Sequence, residues 1–403
     1  MSTKRRPRLL VDVTQFVSWP ATSGVQRVLR HLVGEWRFDY VDADFGFVDG
    51  DRYITGHLSD FAGFVASTFE TGIVMELSAI ESRSDTVRGA LRSHARAVST
   101  SDVEGRFDAY LLPEPTLNRA SLNAAIGLLA SKRTTPFFIH YDALPLTHPH
   151  LYPRGADADA AVTRYHRVLA RAQNVAFISE NARATFESRI ARRQIANSAV
   201  ARPGADGLRR TDPSPPPRPT FVAIGTIEPR KRHRLLLDTF EELWRSGRNY
   251  ALIVIGGRGW ERADLLERLT AHRRAQQVEW IDHAGDQDIS MALARSSGLV
   301  FLSDAEGYGL PPLEALALGC PVVVASGLPA LESLPSSGQI RLDDITVAAI
   351  RRALETLADP DQNALYRAAT RELNLPTWSR FAQDIESWIA ETLEDSTRRA
   401  PHK

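Results

Sequence analysis

The sequence has little cysteine, no excess of charge of either sign and no long apolar run, and each of these absences excludes a class of protein or site. Its 403 residues include one cysteine, Cys320, so an intrachain disulfide and a metal site of clustered thiolates are excluded. Lys and Arg together number 49, as do Asp and Glu, so no overall charge favours a nucleic-acid partner. No apolar run approaches the roughly 18 residues that span a bilayer. The run after the basic N-terminus, LLVDV, is too short for a signal peptide.

The length of the chain and one proline-rich segment predict two domains. A chain of 403 residues exceeds one typical core. Residues 209–219, RRTDPSPPPRP, include five prolines, which lack an amide hydrogen and disfavour helix and inner strand. We therefore predict a first domain over residues 1–208, a linker or hinge over 209–219 and a second domain over 220–375. Residues 376–403 are predicted to form a final helix.

The second half of the chain alternates apolar strands with amphipathic helices. FVAIGT, YALIVIGG, GLVFLS and PVVVAS are the strand-like segments. This alternation is typical of a parallel sheet covered on both faces. LLVDV, PFFIH and NVAFIS indicate a similar layout in the first half, whereas residues 38–110 give no clear order. We therefore predict an α/β protein with two doubly wound, Rossmann-like domains, whose ligands bind at the carboxyl ends of the strands.

The segment EGYGLPPLE places Glu306 and Glu314 on either side of a bend. Gly307 and Gly309 let a ligand approach the backbone, and the amides of the loop and helix start suit a phosphate. Glu306 can accept hydrogen bonds from sugar hydroxyls and Glu314 from a ribose. An acid at position 314 could instead only stabilise the helix start. The whole segment favours a nucleotide sugar.

The segment GTIEPRKRH places Arg230 and Lys231 in a loop just before a helix. Cations do not stabilise a helix N-terminus, which is already positive, so their presence indicates a nearby anion. The alternative is that they are solvated loop charges. We expect removal of either charge to weaken nucleotide binding.

Two loops of the first half are further candidates. TSGVQRV, which contains Gly24, is a small-residue loop that could cover a diphosphate or be an ordinary helix start. PFFIHYD runs from a strand into His140, Tyr141 and Asp142, which could contact a reacting sugar or an acceptor hydroxyl. The nearby histidines have no spacing typical of a zinc site, and we expect no metal.

These segments together resemble the retaining glycosyltransferases of family 4, which have the GT-B fold. The paired-glutamate motif of that family is matched by the segment from Glu306 to Val322, and GTIEPRK resembles its phosphate-clamp loop. The first-half segments DVTQFVSWPATSGVQRVLR and YDALPLTHPHLY are similar to further family segments. Many relatives have histidine directly before the first-domain acid, where this chain has Tyr141.

The resemblance implies a cytoplasmic enzyme that transfers a hexose from a nucleotide-diphosphate sugar with retention of configuration. The final helix would return to the first domain, and the two domains would face each other across a cleft. Glu306, Asp142 and His140 are the implied catalytic residues. Predicted to bind substrate are Gly24, Thr226, Arg230, Lys231, Gly307, Tyr308, Gly309, Leu310 and Glu314. No cofactor is expected.

The TSGVQRV segment resembles the N-terminal segments of mannosyl- and rhamnosyltransferases of surface-polysaccharide assembly. It implies GDP-mannose as the first candidate donor and a glycan or lipid-linked acceptor. Peripheral contact with the inner face of a membrane, through the basic residues 88–96, is a hypothesis. The alternatives are a nucleotide-sugar epimerase of the same architecture and a non-catalytic nucleotide-sugar-binding protein.

Overall fold

The computed structural model describes residues 5–21, 23–70, 80–93, 95–131, 133–212 and 217–399. Contacts divide the chain into two compact units. One comprises Met1–Thr147, Arg154–Gly204 and Thr377–Lys403, and the other comprises His148–Pro153 and Ala205–Pro376. The fold is therefore built from two separate α/β cores.

The described part of the first unit forms an eight-stranded sheet in the order β4-β3-β2-β1-β5-β6-β7-β8. Its strands are β1 (Arg8–Asp12), β2 (Asp42–Asp49), β3 (Arg52–His57), β4 (Arg96–Ser99), β5 (Ala109–Leu112), β6 (Thr135–His140), β7 (Asn174–Phe177) and β8 (Asn197–Val200). Every residue of β5 and of β7 is buried, as expected where helices cover both faces of a parallel sheet. The carboxyl ends of β1, β5, β6 and β7 consequently meet at one edge.

The helices of this unit are mostly those that connect parallel strands. They are α1 (Thr14–Ser18), α2 (Gly24–Gly34), α3 (Leu58–Glu70), α4 (Ile80–Arg92), α5 (Thr100–Val103), α6 (Arg119–Leu129), α7 (Leu144–Thr147), α8 (Ala156–Leu169) and α9 (Glu180–Thr185). The region 38–110, which gave no clear pattern, contains β3, and β3 pairs antiparallel with both β2 and β4. The prediction of a doubly wound unit therefore missed this antiparallel edge.

The second unit contains a six-stranded parallel sheet in the order β11-β10-β9-β12-β13-β14. Its strands are β9 (Thr220–Ile224), β10 (Ala251–Ile255), β11 (Val278–Ile281), β12 (Gly298–Phe301), β13 (Val322–Ala325) and β14 (Gln339–Leu342). Its helices are α10 (His233–Arg245), α11 (Ala263–Arg274), α12 (Asp286–Ala294), α13 (Leu310–Ala317), α14 (Val347–Ala358) and α15 (Pro360–Thr370). Strand β9 has β10 on one side and β12 on the other, which sets the position of the site described below.

The last helix, α16 (Trp378–Arg399), belongs to the first unit. The ring of Trp378 stacks on His31 of α2, with ring centroids 4.3 Å apart. Further along, Oε1 of Glu386 accepts hydrogen bonds from the amides of Tyr40 and Val41 at 2.7 and 3.1 Å. These contacts confirm that the C-terminal helix crosses back to the first domain.

The unit boundaries differ from the predicted domain limits at two places. The second unit begins at Ala205, ahead of the predicted linker, because residues 205–212 pack onto it; for example, Thr211 Oγ1 donates to Ser290 O at 3.3 Å. His148–Pro153 also joins the second unit, where the indole Nε1 of Trp260 donates to Leu151 O at 3.0 Å. Residues 213–216 of the linker lie outside the described part, so its role as a hinge stays a prediction.

Candidate functional site

Neighbouring strands of the second sheet bring two predicted motifs together. The loop with Arg230 and Lys231 follows β9, and the loop with Glu306 follows β12, which pairs in parallel with β9. Parallel neighbours end at the same edge of a sheet, so the two loops meet there. The amide of Asp304 donates to Arg230 O at 2.8 Å, which joins the two backbones directly.

The centre of this site is a carboxylate held by two cations. Arg230 Nη1 and Lys231 Nζ each lie 2.6 Å from Oε1 of Glu306. Arg230 Nη1 also donates to Ala305 O at 3.0 Å, and its Nε lies 2.6 Å from Oε1 of Glu228. The site therefore combines two basic and two acidic side chains.

These four side chains are largely withdrawn from solvent, with exposed fractions of 15% or less. Burial lowers the pKa of Lys231, against the opposing effect of Glu306. Burial alone would raise the pKa of Glu306, but Lys231 and Arg230 outweigh it and the net pKa is lowered. Glu306 is thus an ionised carboxylate, and the cations beside it are held in a poorly hydrated environment in which charge interactions are strong.

Close backbone packing fixes the loop that carries the cations. Gly256, at φ 151°, lies so near β9 that an added Cβ would be 2.1 Å from Gly225 O. The amide of Ile227 donates to Gly257 O at 3.0 Å. Thr226 is exposed at the turn of this loop. Close backbone packing therefore helps to position the loop that leads to Arg230 and Lys231.

The predicted bend between the glutamates is present in the structure. Gly309, at φ 104°, precedes α13, in which Leu310 is the first residue. An added Cβ on Gly309 would lie 2.8 Å from Leu328 Cδ1, so both the backbone angle and the space require glycine. Gly307 and Tyr308 are buried within the bend. Glu314 is only 2% exposed, one turn into the helix.

In the first unit, Gly24 is an exposed residue at the start of α2. Ser23 caps this helix by accepting from the amide of Gln26 at 3.3 Å. The Gln26 side chain also donates to Trp19 O at 2.7 Å, which anchors the preceding loop. Thr22 lies outside the described residues. The helix start is therefore well built, and contact of Gly24 with substrate stays a prediction.

His140, Tyr141 and Asp142 occupy different environments at the end of β6. The ring of His140 is 1% exposed and packs against Phe186, with centroids 4.5 Å apart. Its ring nitrogens have no hydrogen-bond partner among the described residues, and burial lowers its pKa well below the usual value. Tyr141 is also buried and its hydroxyl donates to Pro113 O at 2.9 Å. Asp142 is half-buried and accepts from the amide of Leu144 at 3.0 Å.

His140 is therefore a neutral ring packed in the core of the first unit, and its predicted catalytic role stays a prediction that these surroundings do not favour. Asp142 caps α7 and keeps one face partly accessible. Asp142 is the most exposed of the three, and its contact with a substrate stays a prediction.

Sequence reasoning missed a group of buried acids at the carboxyl ends of β1 and β5. Asp12 accepts from the hydroxyls of Tyr53 and Tyr110 at 2.9 and 2.5 Å. Glu114 is 1% exposed, and burial raises its pKa to about 8, with a smaller contribution from Asp12. The strand pattern LLVDV contained the signal for Asp12, because a buried strand rarely accepts an acid without partners.

The basic residues 88–96 are less available than the sequence indicated. Arg88 Nη1 lies 3.1 Å from Oδ1 of Asp49, and Arg92 pairs with the other oxygen of the same carboxylate. No described helix combines the length and apolar character needed to cross a membrane. Membrane contact through these residues stays a hypothesis.

The two α/β units with their returning helix define the GT-B fold. The crystal structure of Anabaena HepE in complex with UDP and glucose superposes with a TM-score of 0.60 at 16% identity, covering 97% of this chain and 100% of that one. Residues 206–344 match the family described as "Glycosyl transferases group 1". The chain therefore contains a glycosyltransferase group 1 domain, and this domain carries Arg230, Lys231, Glu306 and Glu314.

Curated relatives extend the similarity beyond this domain. The serotype-specific mannosyltransferase WbdA of Escherichia coli is 26% identical over 405 residues, which cover 95% of this chain and 45% of WbdA. The chain thus spans less than half the length of that relative. The GDP-mannose-dependent alpha-(1-6)-phosphatidylinositol monomannoside mannosyltransferase of Mycolicibacterium smegmatis is 29% identical over 174 residues, which cover 40% of this chain and 44% of that protein.

Proposed function

We propose that the chain is a retaining glycosyltransferase that moves mannose from GDP-mannose to a glycan or lipid-linked acceptor. The observation that carries the proposal is the position of Arg230 and Lys231, each 2.6 Å from one oxygen of Glu306. Two buried cations that already share one carboxylate oxygen are also placed to bind the negatively charged oxygens of a diphosphate. The mannosyltransferase relatives support the choice of sugar, and the M. smegmatis relative supports the choice of nucleotide.

In this proposal the diphosphate of the donor takes over the cations, and Glu306 turns to the sugar hydroxyls. Arg230 and Lys231 then stabilise the charge that grows on the diphosphate as the glycosidic bond breaks. Low hydration makes this stabilisation larger than it would be in water. Glu314 would hold the ribose, and the amides near Gly309 would face a phosphate.

Acceptor binding is assigned to the first unit. Asp142 would accept a hydrogen bond from the acceptor hydroxyl, and Gly24 would lie near the diphosphate. Retention of configuration, with the leaving phosphate as the base, follows from the family 4 resemblance. Location at the inner face of a membrane would suit a lipid-linked acceptor.

A nucleotide panel tests the donor assignment. Thermal unfolding of the wild type would be followed with GDP, UDP, ADP, CDP and dTDP, without added metal. A nucleotide at 100 times its Kd adds about 2.7 kcal/mol and raises the midpoint by a few degrees. We expect GDP to give the largest shift, and Lys231→Ala to reduce it while Arg245→Ala, at an exposed arginine of the same unit, leaves it unchanged.

A transfer assay then tests the reaction itself. GDP-mannose would be incubated with glycan and lipid-linked acceptors, and the anomeric configuration of the product determined by NMR. Retention is the expected result. Inversion would contradict the proposed retaining mechanism. A shift of the unfolding midpoint by UDP alone would contradict the assignment of GDP-mannose as the donor.

A further inference from the structure

We propose that Glu228 positions Arg230 for the departing diphosphate, an inference that rests on the function proposed above. Arg230 lies between two carboxylates: its Nε is 2.6 Å from Glu228 Oε1, an ion-pair contact, and its Nη1 is 2.6 Å from Glu306 Oε1, to which it also donates a hydrogen bond. The guanidinium group is planar, so carboxylates beside two different nitrogens limit how it turns as well as where it lies. Without Glu228, the contacts to Glu306 and Ala305 O would both lie at Nη1, and the group could turn about that nitrogen.

The two acids differ in what donor binding would do to them. In the proposed function the diphosphate displaces Glu306, whose Oε1 contacts both Arg230 and Lys231 in the nucleotide-free protein. Glu228 contacts Arg230 at Nε, and the proposed function gives it no hydrogen bond to the sugar. Arg230 would therefore keep one carboxylate partner, Glu228, when the diphosphate replaces Glu306. Preorganised donors of this kind need no reorientation as charge develops.

Glu228 is itself held firmly in place. It is 3% exposed, and its carbonyl accepts from the amide of Lys231 at 3.1 Å. The short turn Pro229–Lys231 follows it directly. The pKa of Glu228 is raised by burial, while Arg230 and Lys231 act in the opposite direction. A buried acid is costly unless it is paired, and here its pairing partner is a proposed catalytic cation.

A double-mutant cycle with Arg230 distinguishes positioning from a general structural role. The kcat of transfer would be measured for Glu228→Ala, Arg230→Ala and the double variant. If Glu228 acts through Arg230, we expect each single change to lower kcat about 10- to 100-fold and the double variant to match Arg230→Ala within about two-fold. Losses that multiply in the double variant would overturn the proposal.

Two variants complete the comparison. Glu228→Gln keeps the size of the side chain and one acceptor oxygen but loses the charge, so we expect a loss smaller than that of Glu228→Ala. Glu241→Gln is the matched control, because Glu241 pairs with Arg268 at 2.9 Å between α10 and α11 of the same unit. It should leave kcat unchanged, and unfolding midpoints of all variants would show whether each remains folded.

A measurement that needs no turnover separates this inference from the proposed function. The ¹⁵Nε signal of Arg230, assigned by its loss in Arg230→Ala, would be recorded in the nucleotide-free protein. We expect it to move in Glu228→Ala and to stay in place in Glu241→Gln. An unmoved signal in Glu228→Ala would overturn the positioning role even if transfer is observed. If the wild type transfers no sugar, the proposed function fails, whereas a moved signal would still support the positioning of Arg230.

Discussion

Lys231 donates from Nζ to Oε1 of Glu306 over 2.6 Å, and Arg230 Nη1 lies at the same distance from the same oxygen. Glu306 thus pairs with both of the cations that are proposed to bind a diphosphate. In the proposed function, donor binding would exchange one anion for another and keep the buried cations paired. Such an exchange avoids the large cost of leaving a buried charge without a partner.

The exchange predicts opposite effects of Glu306→Gln on binding and on transfer. Loss of the carboxylate frees both cations, so we expect GDP to bind as tightly as to the wild type or more tightly. Transfer should fall about 10- to 100-fold, the value of a hydrogen bond to a charged group. Calorimetric titration with GDP and the kcat of transfer would be measured together.

The same variant should be less stable without nucleotide, because Lys231 and Arg230 lose the carboxylate that lies between them and Arg230 keeps only Glu228 as a charged partner. GDP should restore its unfolding midpoint towards that of the wild type. Glu332→Gln, at an exposed acid of the same unit, is the control and should change neither quantity. Weaker GDP binding by Glu306→Gln would refute the exchange.

The second-unit site follows closely from the sequence. The regular alternation of strands and helices predicted that GTIEPRK and EGYGLPP each follow a strand. In the structure, Arg230 Nη1 and Lys231 Nζ each lie 2.6 Å from Oε1 of Glu306. Sequence could not show that β9 and β12 are neighbours, because the order of strands in a sheet depends on long-range pairing. It also passed over Glu228, since an acid in a loop gives no sign that it is buried.

The first unit was less predictable for a physical reason. Strand β3 is antiparallel and its segment, RYITGH, has few apolar residues, so neither a continuous apolar run nor a helical period marks it. His140 shows a second limit. Its position at a strand end suggested chemistry, but only the packed structure reveals that Phe177 and Phe186 surround its ring.

The proposed approach of a substrate to Gly24 can be tested without disturbing the fold. An added Cβ on Gly24 meets no atom within 4 Å, and alanine favours helix more than glycine does. Gly24→Ala should therefore fold at least as stably as the wild type. If a diphosphate lies against this residue, the KM for GDP-mannose should rise about 10-fold, roughly 1.4 kcal/mol.

Gly309→Ala is the matched comparison in the second unit. Its positive φ and the nearby Leu328 side chain should lower stability by roughly 1–3 kcal/mol, in contrast to Gly24→Ala. Thermal unfolding and donor KM would be measured for both. A normal KM in a stable Gly24→Ala protein would remove Gly24 from the substrate-binding residues.

His140→Leu separates packing from catalysis in the first unit. General acid–base catalysis contributes about 100-fold or more, so a catalytic His140 would lose at least that much kcat. Because the ring is buried and neutral, we expect a far smaller loss. The unfolded chain takes up a proton on this histidine as pH falls below about 6.5, which destabilises the wild type in acid. The variant should lose less stability between pH 7 and pH 5, as measured by urea unfolding.

Glu114 should make the stability of the protein fall as pH rises. Its pKa is about 8 in the folded chain and near 4.5 when exposed, so between these values the folded protein holds a proton that the unfolded chain has released. Stability therefore declines through this window, by up to about 1.4 kcal/mol per pH unit.

Glu114→Gln removes this titration and resembles the protonated acid. We expect the free energy of unfolding of the variant, minus that of the wild type, to increase as pH rises from 5 to 8, because the wild type loses stability over this range. Glu104→Gln, at an exposed acid of the same unit, provides the control curve. If the difference between Glu114→Gln and the wild type is constant over this range, Glu114 is ionised in the folded protein, and Gln26 and Phe16 N–H hold a carboxylate.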